Sequence, residues 1–120
     1  MVDCQEILEV LQNRAEVYRN WDSALKKYLE TNSYDTYNNT VISSTIALKE
    51  IRETVQHMPI SGQTEEIVRK IEALEDNHLK ANVEYHKAKI RKEGFDRNIV
   101  QNIENEIMEL IQELVITNRE

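Results

Sequence analysis

Almost nothing in this chain of 120 residues stops a helix: it has two glycines and one proline. A glycine costs a helix interior roughly 1 kcal/mol and a proline about 3 kcal/mol. So few breakers imply long helices with few, short connections. The proline and one glycine fall together in "MPISGQT", and a second turn-forming cluster is "TNSYD". Breaks are therefore expected near residues 31–35 and 59–63, with Asn32, Ser33 and Asp35 as turn and N-cap residues and Thr64 capping the helix that follows.

Between the breaks the apolar residues recur at alternating spacings of four and three, the mark of a helix with one buried seam. In the first helix, about 3–30, the seam reads Cys4, Leu8, Leu11, Ala15, Tyr18, Leu25 and Leu29, with Asp22 where an apolar residue is expected. A parallel stripe of Ile7, Trp21 and Tyr28 lies beside it. The second helix, about 36–58, carries Tyr37, Val41, Ser44, Leu48, Ile51, Val55 and Met58, with Ile42 alongside. The third, about 65–93, carries Ile67, Ile71, Leu74, His78, Ala81, Tyr85 and Ala88, and thins toward its end. The fourth, about 96–118, carries Val100, Ile103, Ile107, Leu110 and Leu114, with Ile99 and Ile111 beside them. Gly94 is expected as the residue that ends the third helix, with Asp96 capping the fourth and Phe95 stapled to Val100; a helix continuous through Gly94 is the alternative. The fold class is all-α, built of antiparallel helical hairpins, as a four-helix bundle or coiled-coil type, in a single domain over residues 1–120. The thin end of the third helix and the rich fourth look mismatched for one closed bundle, which points to self-association or a partner.

The formal net charge is −7, with 22 acidic and 15 basic residues. That balance opposes affinity for nucleic acid or an anionic membrane. The most basic segment, Lys80 to Arg97, has six basic residues against three acids, and reads as a solvated helix end. Glu104 to Glu113 has four acids and no base, so the two segments can pair with each other. Direct nucleic-acid binding is not expected. The start "MVDCQEILEVLQ" lacks a basic and then apolar leader, and no apolar run is long enough to span a membrane. Cys4 is the single cysteine, which fits a reducing compartment. An intracellular location, nuclear or cytoplasmic, is the expectation.

Candidate chemistry is sparse. Glu75 and His78 match half of a di-iron helix motif, but His57 and His86 lack the pattern, so no metal is expected. No glycine-rich loop could cradle phosphate, and no nucleophile has a base at a recognisable spacing. The chain reads as a non-enzyme without a cofactor. What stands out is "YRNWDSALKKYLETNSYDTY", Tyr18 to Tyr37, which holds four of five tyrosines and the only tryptophan. It spans the expected hairpin tip. Large rings there either staple the two helices or face outward as a protein-binding patch. The candidate partner-binding residues are Tyr18, Arg19, Trp21, Asp22, Tyr28, Tyr34 and Tyr37. Asp22 is either a seam carboxylate partnered by Arg19 and Lys26 that sets partner choice, or a surface residue left outside a stripe that drifts toward Trp21 and Tyr28.

Around this stretch the sequence resembles the required-for-excision 1-B domain family, small eukaryotic helical proteins. The resemblance rests on Arg14, Tyr18 and Arg19, then Tyr28 and Leu29, then Tyr34 and Asp35 with Tyr37 close behind. It continues more weakly through "STIALKEIRETV", "EEIVRKIEALEDNHLKANVEY" and the closing "IVQNIENEIMELIQELV". The resemblance implies a link to DNA excision repair and brings no catalytic residues. An adaptor or scaffold in a repair complex, acting through protein contacts, is the function expected; a coiled-coil subunit of a trafficking or cytoskeletal assembly is the alternative. The partner is a protein or a second copy, held through apolar helix faces.

Overall fold

The computed structural model describes residues 4–118. Four helices follow one another: α1 (Cys4–Thr31), α2 (Tyr34–Gln56), α3 (Gly62–Arg91) and α4 (Asn98–Thr117), with no strand among the described residues. Asp3, expected to open the first helix, lies outside the described residues. The chain divides between Pro59 and Ile60 into two compact units. The first is the hairpin of α1 and α2, the second the hairpin of α3 and α4. The all-α class built from helical hairpins is thus the one the spacing predicts.

The first hairpin reverses in two residues. Asn32 adopts the left-handed conformation, φ 59°, and its N–H donates to Tyr28 C=O at 2.8 Å, closing α1. Asparagine tolerates this conformation better than most residues with a side chain. Ser33 is the N-cap, so α2 starts two residues earlier than expected. Asp35 is not a cap; it lies in the first turn, where a carboxylate suits the positive end of the helix.

The seam of α1 is not the one the apolar spacing suggests. The buried residues are Ile7, Leu11, Arg14, Tyr18, Trp21 and Leu25, an unbroken series of four and three. Ala15 and Leu29 are exposed, and Asp22 sits half-buried beside the seam. The buried stripe passes through Trp21, the larger apolar surface, and takes in the aliphatic stem and the guanidinium of Arg14 with it. In α2 the expected seam holds as far as Val55: Tyr37, Ser44, Leu48 and Val55 are buried, with Val41 and Ile51 half-buried between them, and Met58, half-buried, follows the helix end at Gln56.

The second hairpin starts at Ser61, an extended N-cap, followed by Gly62 at φ +64°. Thr64, expected as the cap, lies inside the first turn, and its hydroxyl donates to Asn118 Oδ1 at 3.5 Å. Farther along, His78 meets Glu104, and the Arg97 guanidinium lies over Tyr85. Partners descend along α3 as they ascend along α4, so the helices are antiparallel. The residue that stops α3 is Lys92, not Gly94. Lys92 is left-handed at φ 59°; its N–H donates to Lys89 C=O, and the N–H of Glu93 reaches back to Ala88 C=O at 2.8 Å. Those two bonds form a Schellman motif one residue past the helix. Asp96 does cap: its carboxylate accepts the Asn98 N–H at 3.0 Å. The two helices are therefore separate.

A lysine in the left-handed region carries a steric penalty that glycine lacks. Lys92→Gly should raise stability by about 0.5–1 kcal/mol despite a looser unfolded chain. Gly94 has ordinary φ, and a Cβ there would meet nothing within 4 Å. Gly94→Ala should therefore also be neutral or stabilising. Urea midpoints of both variants check the assignment; a destabilised Gly94→Ala would return the stop to Gly94.

Candidate functional site

The aromatic tip of the first hairpin is assembled from both helices. Tyr28 stacks on Tyr37 with ring centroids 5.1 Å apart, and Tyr34 meets Tyr28 edge-on at 5.9 Å. Tyr18 stacks with Trp21 at 6.1 Å. Tyr18, Trp21 and Tyr37 are buried, and Tyr28 is half-buried. Burial raises the Tyr37 phenol above its usual pKa; a hydrogen bond with the Trp21 side chain opposes the shift, and the nearby Asp22 carboxylate adds to it. These rings hold the hairpin closed. The outward residues are different ones. Tyr34 is 56% exposed, and the Arg19 side chain reaches into solvent with Glu16 at 3.8 Å.

Between α1 and α2, next to the stacked tyrosines, lies an open groove of about 420 Å3. Its walls are Asn20, Ser23, Ala24, Lys27, Tyr28 and Thr31 from α1, then Ser33, Thr36, Tyr37 and Thr40. Hydroxyls dominate, and Lys27 is the single charge. Of the seven residues singled out in the sequence, Tyr28 and Tyr37 line this groove, and Tyr34 packs against Tyr28. Arg19 does not line it, and Tyr18 and Trp21 belong to the buried seam. The groove hydroxyls carried no signal in the sequence, because scattered serines and threonines look like ordinary helix surface.

The second hairpin has a buried polar row. His78, Asn82 and His86, one helical turn apart, are all buried, Asn82 completely. They fill the half of α3 that is thin in apolar residues. His78 lies between two carboxylates, with Nδ1 3.4 Å from Glu75 and Nε2 3.5 Å from Glu104 on α4. Burial alone would lower its pKa, but the hydrogen bonds and charges of Glu104 and Glu75 outweigh it and lift the imidazole to about 9. His78 is thus an imidazolium at neutral pH, tying α3 to α4. Glu104 also takes Arg97 at 3.4 Å. Arg97 lies 5.2 Å from the Tyr85 ring centre and Lys89 5.9 Å, while Phe95 packs on the same ring at 5.8 Å. Phe95 therefore finds Tyr85, the aromatic partner across the turn. The basic segment is partly spent inside the fold, because Arg97 pairs with the acidic helix. Among the described residues no group of three His, Cys, Asp or Glu side chains is placed to hold a metal ion. No described helix is long and apolar enough to cross a membrane.

The described residues thus form a small all-α protein of helical hairpins, with an aromatic tip on the first and a buried histidine between carboxylates in the second. A family model, DNA repair REX1-B, matches residues 3–89, and the chain belongs to that family. The match covers α1, α2 and nearly all of α3 and leaves α4 outside, so the likeness of the closing helix is not part of it. No curated protein and no solved structure matches the chain significantly.

Two outcomes follow from this geometry. Trp21→Ala should cost about 3–5 kcal/mol, while Asp22→Leu should change stability by less than about 1 kcal/mol; thermal melts of both decide which residue is in the seam. His78 has a folded-state pKa above its ordinary 6.5. Its contribution is full below about pH 6.5 and is lost as pH rises through about 9, a change of roughly 3 kcal/mol. Urea midpoints measured from pH 6 to pH 9.5 should fall in the wild type relative to His78→Gln, and parallel curves would refute the clip.

Proposed function

We propose that the chain is a non-enzymatic helical adaptor that works in DNA excision repair through protein–protein contacts, in the nucleus. The observation that carries the repair link is membership of the DNA repair REX1-B family across residues 3–89. Charge supports action through proteins: a chain of net −7, part of whose basic segment is paired internally, is a poor ligand for a phosphate backbone. The first hairpin offers what a protein partner can use. Tyr34 stands exposed at its tip, braced by Tyr28, and a hydroxyl-lined groove opens beside it. An exposed tyrosine held by a second ring binds at little conformational cost. Both sit on a short turn between two long helices, so the tip is presented on a stiff support.

The test is genetic and biochemical together. Loss of the protein should sensitise cells to DNA damage that excision repair removes, and wild-type protein should restore resistance. Tyr34→Ala with Lys27→Glu should fail to restore it, while helicity is unchanged and stability stays within about 0.5 kcal/mol of wild type. Repair factors should co-purify with the wild type and be lost from the variant. Unchanged damage resistance in cells lacking the protein, or co-purification of tethering or motor subunits in place of repair factors, would sink the proposal.

A further inference from the structure

Residues 36–48, "TYNNTVISSTIAL", contain no charged side chain, the longest such run in a chain that is 31% charged. The run is not buried on all sides. The face of α2 away from α1 is exposed through Asp35, Asn39, Ile42, Ile46 and Lys49, with Ile42 and Ile46 51% and 54% exposed. These five positions are themselves spaced by four and three, a second seam on the same helix turned away from α1. The hydroxyls next to it are turned inward. Thr40 donates to Thr36 C=O at 3.2 Å, Ser43 to Thr40 C=O at 3.1 Å and Thr45 to Val41 C=O at 2.8 Å. Covering this face would strand none of those donors, and the threonine methyls add to its apolar area.

We propose that this face of α2 is a homodimer interface, in which α2 of a second copy lies antiparallel across it about a two-fold axis at Ile42. The ends of the neutral run choose the occupant and its direction. Asp35 stands seven residues before Ile42 and Lys49 seven residues after, at the same position of the heptad. In an antiparallel pair each Asp35 faces the Lys49 of the other copy, over a helix length of about 21 Å. In a parallel pair like charges meet at both ends. The two-fold puts Ile42 against its own counterpart and Ile46 against Asn38 of the other copy, so the neutral centre meets a neutral centre. A charged partner helix would leave its charges desolvated and unpaired there. The interface is small, so dimerisation on the order of 10 μM is expected.

Sedimentation of the full chain should show a monomer–dimer equilibrium, with Ile42→Lys monomeric and still helical. In a Cys4→Ser background, Ile42→Cys should form an intermolecular disulfide readily under mild oxidation, and Ile46→Cys should not. Asp35→Lys should weaken the dimer roughly 5-fold, and adding Lys49→Asp should restore it. A single monomeric mass at about ten times the expected dissociation constant overturns the proposal. So does an Ile42→Lys chain with wild-type mass, or equal cross-linking at Ile42 and Ile46. The dimer stands apart from the adaptor function: a dimer without repair phenotype sinks only the adaptor, and a wild-type chain that stays monomeric yet restores damage resistance sinks only the dimer.

Discussion

Chain reversal is the constraint on which each hairpin depends. A helix with one apolar seam gains little until a second seam lies against it, and the two can meet only if the chain turns back within a few residues. In both hairpins that turn needs one residue in the left-handed region. Asn32 supplies it in the first and Lys92 in the second. Neither is glycine, so the fold accepts backbone strain of roughly 1 kcal/mol at Lys92 in return for the packing of two long helices. The hydrogen bonds that follow, from Asn32 to Tyr28 and from Glu93 to Ala88, fix where each helix stops and so which residues face one another across the hairpin.

The two hairpins solve the burial problem differently. The first buries rings: Tyr18, Trp21 and Tyr37 give large apolar area on few side chains, and Arg14 is the polar member of the row. The second buries only aliphatic residues at its open end, Ile67, Val68, Ile71 and Leu114, and toward its turn mixes the polar His78, Asn82 and His86 with Ala88 and Val100. An imidazolium between Glu75 and Glu104 is expensive to remove from water but has partners on both nitrogens. A leucine in its place could pack against several registers of α4, whereas the His78 Nε2 contact to Glu104 favours one.

The surface divides along the same lines. Aromatic area at the tip of the first hairpin is mostly consumed by the fold, and Tyr34 is the ring left outside. The groove beside it, with Lys27 as its single charge, and the middle of the exposed α2 face are sparsely charged places on a chain that is 31% charged. With a net charge of −7, the rest of the surface repels polyanions and stays solvated. The family match takes in both features and ends before α4.

Much of the fold was written in the spacing of the sequence. Four helices, their breaks and the seams of α2 and α4 follow from apolar residues every three and four positions and from turn residues between them. The capping role of Asp96 was legible for the same local reason. The seam of α1 was not, because the sequence carries two apolar stripes one residue apart, Leu8, Ala15 and Leu29 beside Ile7, Trp21 and Tyr28. Periodicity weighs them alike; only packing against Tyr37 and its neighbours selects the stripe with Trp21, and that choice moves Asp22 out of the core and Arg14 into it. Buried Asn82 and His86 were equally hidden, since a polar residue shows as core only when the facing helix is in place to cover it. Local sequence decided where the helices are, because helix periodicity and caps act within a few residues; tertiary structure decided which of their faces are interior, because burial is a property of two helices at once.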